Sequence, residues 1–400
     1  MKRKTHLPKH ASAALVLVLL LGLLGGCGAA PAAAAATPAP TPEPTPIPTP
    51  CPHLIWVDGV CADCGVPCSH SWQGGVCMLC ALICPHEDHD AETGLCALCG
   101  ETAVHRYRDG RCVVCGREPD FTHALLPAEA FAPCEQPGTV ETHNYRFAYA
   151  PGYELERTLD VYLPYGYDPA QRYNVLVMIH GGGGSSHDFT DTLFENVEQG
   201  YSFCMKDLYD RMIAEKRCEP FIVVSPYTCS FRSQDVPGYL PDAYFAKELR
   251  EYILPYAAET YGTYAASGAE EDLRAARDHF GIGGVSNGSL FAYDAGMNQC
   301  FDLFSQYICL SGNDAPSEIA QRINREDWAA LPVRLYYAGC ADGDNQQYFS
   351  HNGFDILCDS TERLVPGGNS FYVDIHGFHN WSQWAAHMYN VLPLLFPPEA

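Results

Sequence analysis

Hydrophobic and polar positions follow three different patterns along this chain. Residues 11–24 are almost uninterruptedly apolar and follow a basic stretch at residues 1–10. That run is too short, and too closely followed by small residues, for a lasting membrane span; it predicts an export leader. Residues 28–50 have no periodic apolar positions, only an alanine run and repeated Thr-Pro and Glu-Pro steps, which predict an extended, semi-rigid spacer. From residue 145 the pattern becomes that of a packed domain. Strands are expected at 145–150 and 157–163, then at 173–179, a nearly continuous apolar run of the kind covered on both faces. A helix is expected at 208–215, a strand at 221–225, a helix kinked by Pro255 at 243–259, and strands at 307–311, 333–338 and 370–375. The ending WSQWAAHMYNVLPLLF reads as an apolar-faced terminal helix. The alternation predicts an α/β fold with a mostly parallel central sheet and helices on both faces. Chemistry in such a fold gathers beyond the carboxyl ends of the strands.

Composition divides the 400 residues further. Residues 1–26 form the leader, 27–50 the linker, 51–117 a Cys/His-rich region, 118–139 a connector and 140–400 the α/β domain. The formal net charge is -24, and loss of the leader would remove Lys2, Arg3, Lys4 and Lys9 with it. So acidic a surface repels nucleic acid and anionic lipid. Leu24-Gly25-Gly26-Cys27 resembles a bacterial lipobox, which implies lipid modification at Cys27. The expected location is the outer face of a bacterial membrane, held by that anchor.

The chain has 20 cysteines, and most of them lie in a repeat of 16 to 19 residues whose recurring positions are ligand types. Each copy reads Cys-x-His, a spacer, then Gly-x-Cys-x-x-Cys. The copies are Cys51, His53, Cys61, Cys64; Cys68, His70, Cys77, Cys80; and Cys84, His86, Cys96, Cys99. A fourth keeps His105, Cys112 and Cys115 but has Ala103 at the leading position. Three thiolates and an imidazole complete a tetrahedral zinc set and leave no open position, so the expectation is structural zinc in zinc-ribbon-like units. A disulfide ladder is the alternative for an exported chain. Eight further cysteines (Cys134, Cys204, Cys218, Cys229, Cys300, Cys309, Cys340, Cys358) have no pairing that sequence can assign.

The candidate chemistry centres on Gly284-Val285-Ser286-Asn287-Gly288. A serine between two glycines, entered from an apolar run and left into a helical pattern, predicts a strand, a sharp turn and a helix: a nucleophile elbow. The 173–179 run ends in His180-Gly181-Gly182-Gly183-Gly184, where backbone amides can approach a ligand closely. Two later strand ends supply partners, Gly339-Cys340-Ala341-Asp342-Gly343-Asp344 and His376-Gly377-Phe378-His379-Asn380-Trp381. Asp342 is favoured over Asp344 because it stands three residues after the expected strand-ending glycine. His379 is favoured over His376, which by alternation would still belong to the strand. The order Ser286, Asp342, His379 is that of the α/β-hydrolases.

Residues 145–397 resemble the esterase-D-like α/β-hydrolases, in particular carbohydrate esterases of the feruloyl and acetylxylan type, through VLVMIHGGGGSSHDF, MIAEKRCEPFIVVSP, ELREYILPYAAETYG, GIGGVSNGS, FDLFSQYICLSG, LYYAGCAD and GFHNWSQW. The resemblance implies Ser286 as nucleophile, His379 as general base, Asp342 as its orienter, and the amides of Asn287 and of Gly182 or Gly183 as oxyanion donors. It implies a carbohydrate or phenolic ester as substrate and no catalytic cofactor. Asn287 stands where the family has methionine and Ser289 where it has a second glycine. Tyr227, Phe231, Tyr239, Trp381 and Trp384 could line a groove or fill the core. Acyl transfer on the same fold, or binding without catalysis, are the alternative functions.

Overall fold

The computed structural model describes residues 107–112, 118–228 and 241–396, the first three of the last segment in backbone only, and the backbone of four two-residue strands at 56–57, 60–61, 72–73 and 76–77. Eight strands form one sheet: β1 (Thr139–Ala150), β2 (Tyr153–Leu163), β3 (Asn174–Ile179), β4 (Phe221–Pro226), β5 (Phe280–Val285), β6 (Gln306–Leu310), β7 (Leu335–Ala341) and β8 (Ser370–Ile375). Their order across the sheet is β1-β2-β4-β3-β5-β6-β7-β8. β2 is antiparallel to both neighbours and every pair from β4 to β8 is parallel.

Alternation along the buried strands sorts side chains into two cores. Val175, Val177 and Ile179 of β3 join one cluster, and Leu176 and Met178 join the other. The first core is covered by α2 (Pro241–Glu248), α3 (Leu254–Thr260), α5 (Asn287–Phe291), α6 (Pro316–Ile323) and α7 (Gln347–Asp359). The second is covered by α1 (Met205–Ala214) and α8 (Trp381–Val391). A short α4 (Glu270–Ala275) precedes β5.

Two departures from the sequence reading have local causes. β1 and β2 extend well beyond 145–150 and 157–163, pairing from Thr139↔Leu163 to Ala150↔Tyr153. The first half of β1 is an edge facing solvent, so its polar residues hide the strand period. The helix expected at 243–259 is broken by a π turn at Leu249–Ile253. Pro255 offers no N–H and its ring crowds the carbonyl four residues back, which the wider turn relieves.

The Cys/His region contributes backbone hairpins in which an aromatic residue pairs with the first cysteine of a Cys-x-x-Cys: Trp56↔Cys61, Trp72↔Cys77 and Tyr107↔Cys112. In the last, Asp109 and Gly110 both have positive φ (48° and 75°), a turn whose twist suits a two-residue hairpin. Gly110 is pressed against the backbone at Gly367, where a Cβ would lie 1.8 Å from the carbonyl oxygen. This hairpin therefore sits at the amino ends of the sheet strands. Cys27, Cys51, His53, Cys64, Cys68, His70, Cys80, Cys84, His86, Cys96, Cys99, His105 and Cys115 lie outside the described residues; Cys112 is buried.

Cys134, Cys204, Cys218, Cys300, Cys309, Cys340 and Cys358 are thiols, and Cys229 lies outside the described residues. Burial pushes the thiols of Cys300, Cys340 and Cys358 up to about 12, which leaves them inert as nucleophiles.

Candidate active site

β5 delivers Ser286 into a turn with φ 53° and ψ -120°, and α5 begins at the next residue. A non-glycine residue held there stores on the order of 1–3 kcal/mol of strain, and the surroundings enforce it. The Ser286 amide donates to the Leu310 carbonyl of β6 at 2.8 Å. The flanking glycines have no room for a side chain. A Cβ on Gly284 would meet the Gly288 backbone at 2.3 Å, and one on Gly288 would meet the Ile179 carbonyl oxygen at 2.1 Å. Ser289 is buried and its hydroxyl donates to the Ser286 carbonyl at 2.7 Å. Gly312 accommodates it, since a Cβ there would lie 2.0 Å from the Ser289 oxygen.

Three side chains meet beyond the strand ends. The Ser286 hydroxyl lies 3.0 Å from His379 Nε2, and His379 Nδ1 lies 2.6 Å from Asp344 Oδ2. The carboxylate accepts a hydrogen bond from Nδ1–H, so Nε2 is left to accept from the serine. Burial on its own would raise the Asp344 carboxyl. Hydrogen bonds from His379, the Gln346 amide and the Ser311 hydroxyl outweigh it and hold the group below its ordinary value, so it stays ionised. Ser311 is itself aimed by α8, accepting from Gln383 Nε2 at 2.8 Å and Trp384 Nε1 at 2.9 Å.

Asp342, the residue expected to orient His379, does not reach it. β7 runs through Ala341, past the glycine taken as its end, and the Asp342 amide is still bonded to the Ile375 carbonyl at 3.0 Å. Its carboxylate points sideways to the neighbouring loop, accepting from His376 Nδ1 at 2.9 Å and the Gly377 amide at 3.1 Å. The turn that follows, with the Asp344 amide bonded to the Ala341 carbonyl at 3.1 Å, folds Asp344 inward. Its side chain is 0% exposed, against 53% for Asp342.

The glycine run passes against the nucleophile: a Cβ on Gly181 would sit 3.4 Å from the Ser286 Cβ. His180, fully buried, explains how the run is oriented. Its Nε2 accepts from the Thr228 amide at 3.0 Å, so its proton is on Nδ1 and donates to the Gly181 carbonyl at 2.7 Å. Burial lowers its basicity and keeps it neutral. In a trans peptide the Gly182 amide points opposite to that carbonyl, away from the His180 ring. Gly183 follows with φ 77°, a conformation natural to glycine. Asn287 opens α5 beside Ser286, so its amide belongs to the first turn of that helix.

Among the described residues, Asp160, His187 and Asp191 each bring a possible ligand atom to within 4.8 Å of the others. The buried Asp160 carboxylate is already engaged by the His187 ring and the Thr190 hydroxyl, a brace from β2 to the loop after the glycines. Trp381 stacks on Phe194 at 4.2 Å, and buried Trp384 sets its ring edge-on to that of His379 at 5.1 Å. Tyr227 is half-exposed and stacks over His180 at 5.4 Å, while Phe231 and Tyr239 lie outside the described residues. The sequence places His180 at one strand end and Ser311 at another but gives neither a role in the site. That place is the only signal for either.

Known proteins resemble this chain in sequence and fold. The Esterase family model matches residues 152–353. The chain is 30% identical over 279 residues to endo-1,4-beta-xylanase Y of Acetivibrio thermocellus, a match covering 66% of this chain and 24% of that protein, so the chain spans about a quarter of its length. Among solved structures, a mutant of the feruloyl esterase module from Clostridium thermocellum complexed with sinapinate is 25% identical, with a TM-score of 0.58 over 70% of this chain and 95% of that one. A ferulic acid esterase from Anaeromyces mucronatus in complex with ferulic acid shares the fold at 19% identity, with a TM-score of 0.52 over 70% of this chain and 98% of that one. By the family match over half its length, joined to the elbow and relay, this chain belongs to the Esterase family.

Proposed function

We propose that the chain is a serine esterase that hydrolyses carboxylic esters, with feruloyl or acetyl esters on plant polysaccharide as its substrate class. The observation that carries this reading is the hydrogen-bonded series Asp344, His379, Ser286 on a strained elbow. His379 accepts the Ser286 proton as Oγ attacks the ester carbonyl, and Asp344 holds the imidazole in the tautomer that can do so. The carbonyl oxygen becomes an oxyanion facing the amides of Asn287 and of Gly182 or Gly183, each such donor being worth about 2.7–4 kcal/mol where one has been removed. Collapse expels the alcohol with the proton held on His379. Water then repeats the sequence on the acyl-enzyme, releasing the acid and restoring Ser286. Phenolic acids bound by the related structures support the feruloyl side of the substrate class.

In the same reading Cys27 carries a lipid anchor on the outer face of a bacterial membrane, and the Cys/His repeats hold structural zinc. Purified protein assayed against feruloyl, acetyl and short aryl esters tests the activity. Release of acid that disappears in Ser286→Ala supports it. Equal turnover by Ser286→Ala and wild type removes the reading.

A further inference from the structure

The loop that presents His379 is held from two sides, and only one side belongs to the sheet's own turns. Toward β7, Asp342 accepts from His376 and from the Gly377 amide, and the Gly343 amide donates to the Gly377 carbonyl at 3.0 Å. Toward the outside lies β8, the last strand of the sheet, with an open edge of backbone groups. Residues 121–126, part of the connector expected at 118–139, run along that edge. Phe121 packs edge-on against Phe371 of β8 and Tyr337 of β7, with ring centroids 5.5 and 5.9 Å apart. Thr122 exchanges two hydrogen bonds with the Asn390 side chain of α8, both 2.9 Å. His123 Nδ1–H donates to the Asp374 carbonyl at 2.7 Å, and the His123 carbonyl accepts from the His376 amide at 2.6 Å. The Leu125 side chain lies 3.4 Å from where a Gly377 Cβ would be, and buried Leu126 accepts from the Tyr201 hydroxyl through its carbonyl.

We propose that residues 121–126 form a positioning strap that fixes the catalytic histidine loop, making the segment ahead of the α/β domain part of the machinery that aligns His379. The strap satisfies the donor and acceptor that the β8 edge leaves open immediately before the loop, at Asp374 and His376. Asp342 holds His376 and Gly377 from the other side. His379 follows two residues after Gly377, so play in that clamp is passed directly to the imidazole. Misplacement of a reacting group by about 1 Å can cost a factor on the order of 100 in rate.

The inference rests on the hydrolase reading for its kinetic consequence, and its test separates the two. In the full chain, His123→Ala combined with Asn390→Ala removes the ring contact to Asp374 and both bonds to Thr122. With active sites counted by fluorophosphonate titration, kcat per site is expected to fall about tenfold with KM within about twofold. His123→Gln, which keeps a donor, is expected to stay near wild type. Should the double variant fail to fold, His123→Ala alone, at an exposed position, is expected to lose about threefold in kcat. The second readout needs no turnover: the low-field proton resonance of His379 Nδ1–H is expected to broaden in the strap variants. An unchanged kcat per titrated site, together with an unchanged resonance, overturns the strap whatever happens to the melting temperature. Loss of the hydrolase reading through an active Ser286→Ala leaves the resonance to decide the strap alone.

Discussion

Two histidine–aspartate pairs stand side by side at the end of this sheet, and they differ in nearly everything but composition. His379 and Asp344 are joined at 2.6 Å around a carboxylate with no exposed side-chain surface. His376 and Asp342 are joined at 2.9 Å with side chains 79% and 53% exposed. Hydrogen bonding to His376 and the Gly377 amide lowers the Asp342 carboxyl, and the same contact raises His376, but both remain in water. Only the first pair extends to a nucleophile on one side and to a buried hydroxyl, Ser311, on the other. The lesson is that an acid–base pair becomes a relay through what stands at its two ends and through exclusion of water, not through its own contact. The exposed pair instead braces the loop that the buried pair needs.

The comparison can be broken most severely at its shared end. Ser286→Ala is expected to lower kcat at least about 10⁴-fold, measured as acid released from an aryl ester. Asp344→Asn leaves the shape but offers His379 the wrong partner, so kcat is expected to fall about 10³ to 10⁴-fold with KM little changed. Gly288→Ala drives a methyl into the Ile179 carbonyl and is expected to cost about 1–3 kcal/mol in urea unfolding, if the chain folds at all. Asp342→Asn keeps a side-chain oxygen for the Gly377 amide and loses only the charge of an exposed pair, so it is expected to change kcat/KM by less than about fivefold. A larger loss there than in Asp344→Asn would reverse the assignment of the two pairs.

A third histidine sharpens the role of burial through pH. His387 is wholly enclosed between Tyr337 and the Cys340 carbonyl, and burial pushes it down from 6.5 to about 3. The folded protein therefore keeps it neutral where the unfolded chain takes up a proton. Stability owed to this group is intact above about 6.5 and is lost progressively as pH falls toward about 3. Asp344 contributes with the same slope at lower pH, because its depressed carboxyl adds stability above the unfolded value, about 3.9, that disappears on protonation. Urea midpoints of wild type and His387→Gln between pH 7 and pH 4 are expected to converge as pH falls. Parallel curves would contradict the buried neutral assignment.

The elbow was legible because its requirements are local: two glycines, a serine and a preceding apolar run specify strain and clearance within five residues. His379 was legible from its place after the last strand. The acid was not, because Asp342 and Asp344 flank one glycine and the choice turns on whether β7 stops at Gly339 or continues to Ala341. That end is set by pairing with β8, a contact that no local pattern carries. Solvent on one face hid the first half of β1 for the same kind of reason. His180, Ser311 and residues 121–126 act through partners far along the chain, as many as 268 positions away, and sequence spacing gives no sign of such bonds. In the Cys/His region the described backbone shows three hairpins, at Cys61, Cys77 and Cys112, each pairing an aromatic residue with a cysteine.

The central claim is that Ser286 owes its nucleophilicity to His379 held by Asp344. The most direct measurement is the second-order rate at which a fluorophosphonate attaches to Ser286, located by peptide mass spectrometry, in wild type, Asp344→Asn and Asp342→Asn. The account predicts labelling at Ser286 that slows by orders of magnitude in Asp344→Asn and stays close to wild type in Asp342→Asn. Equal labelling rates in wild type and Asp344→Asn, or label recovered on another residue, would contradict it.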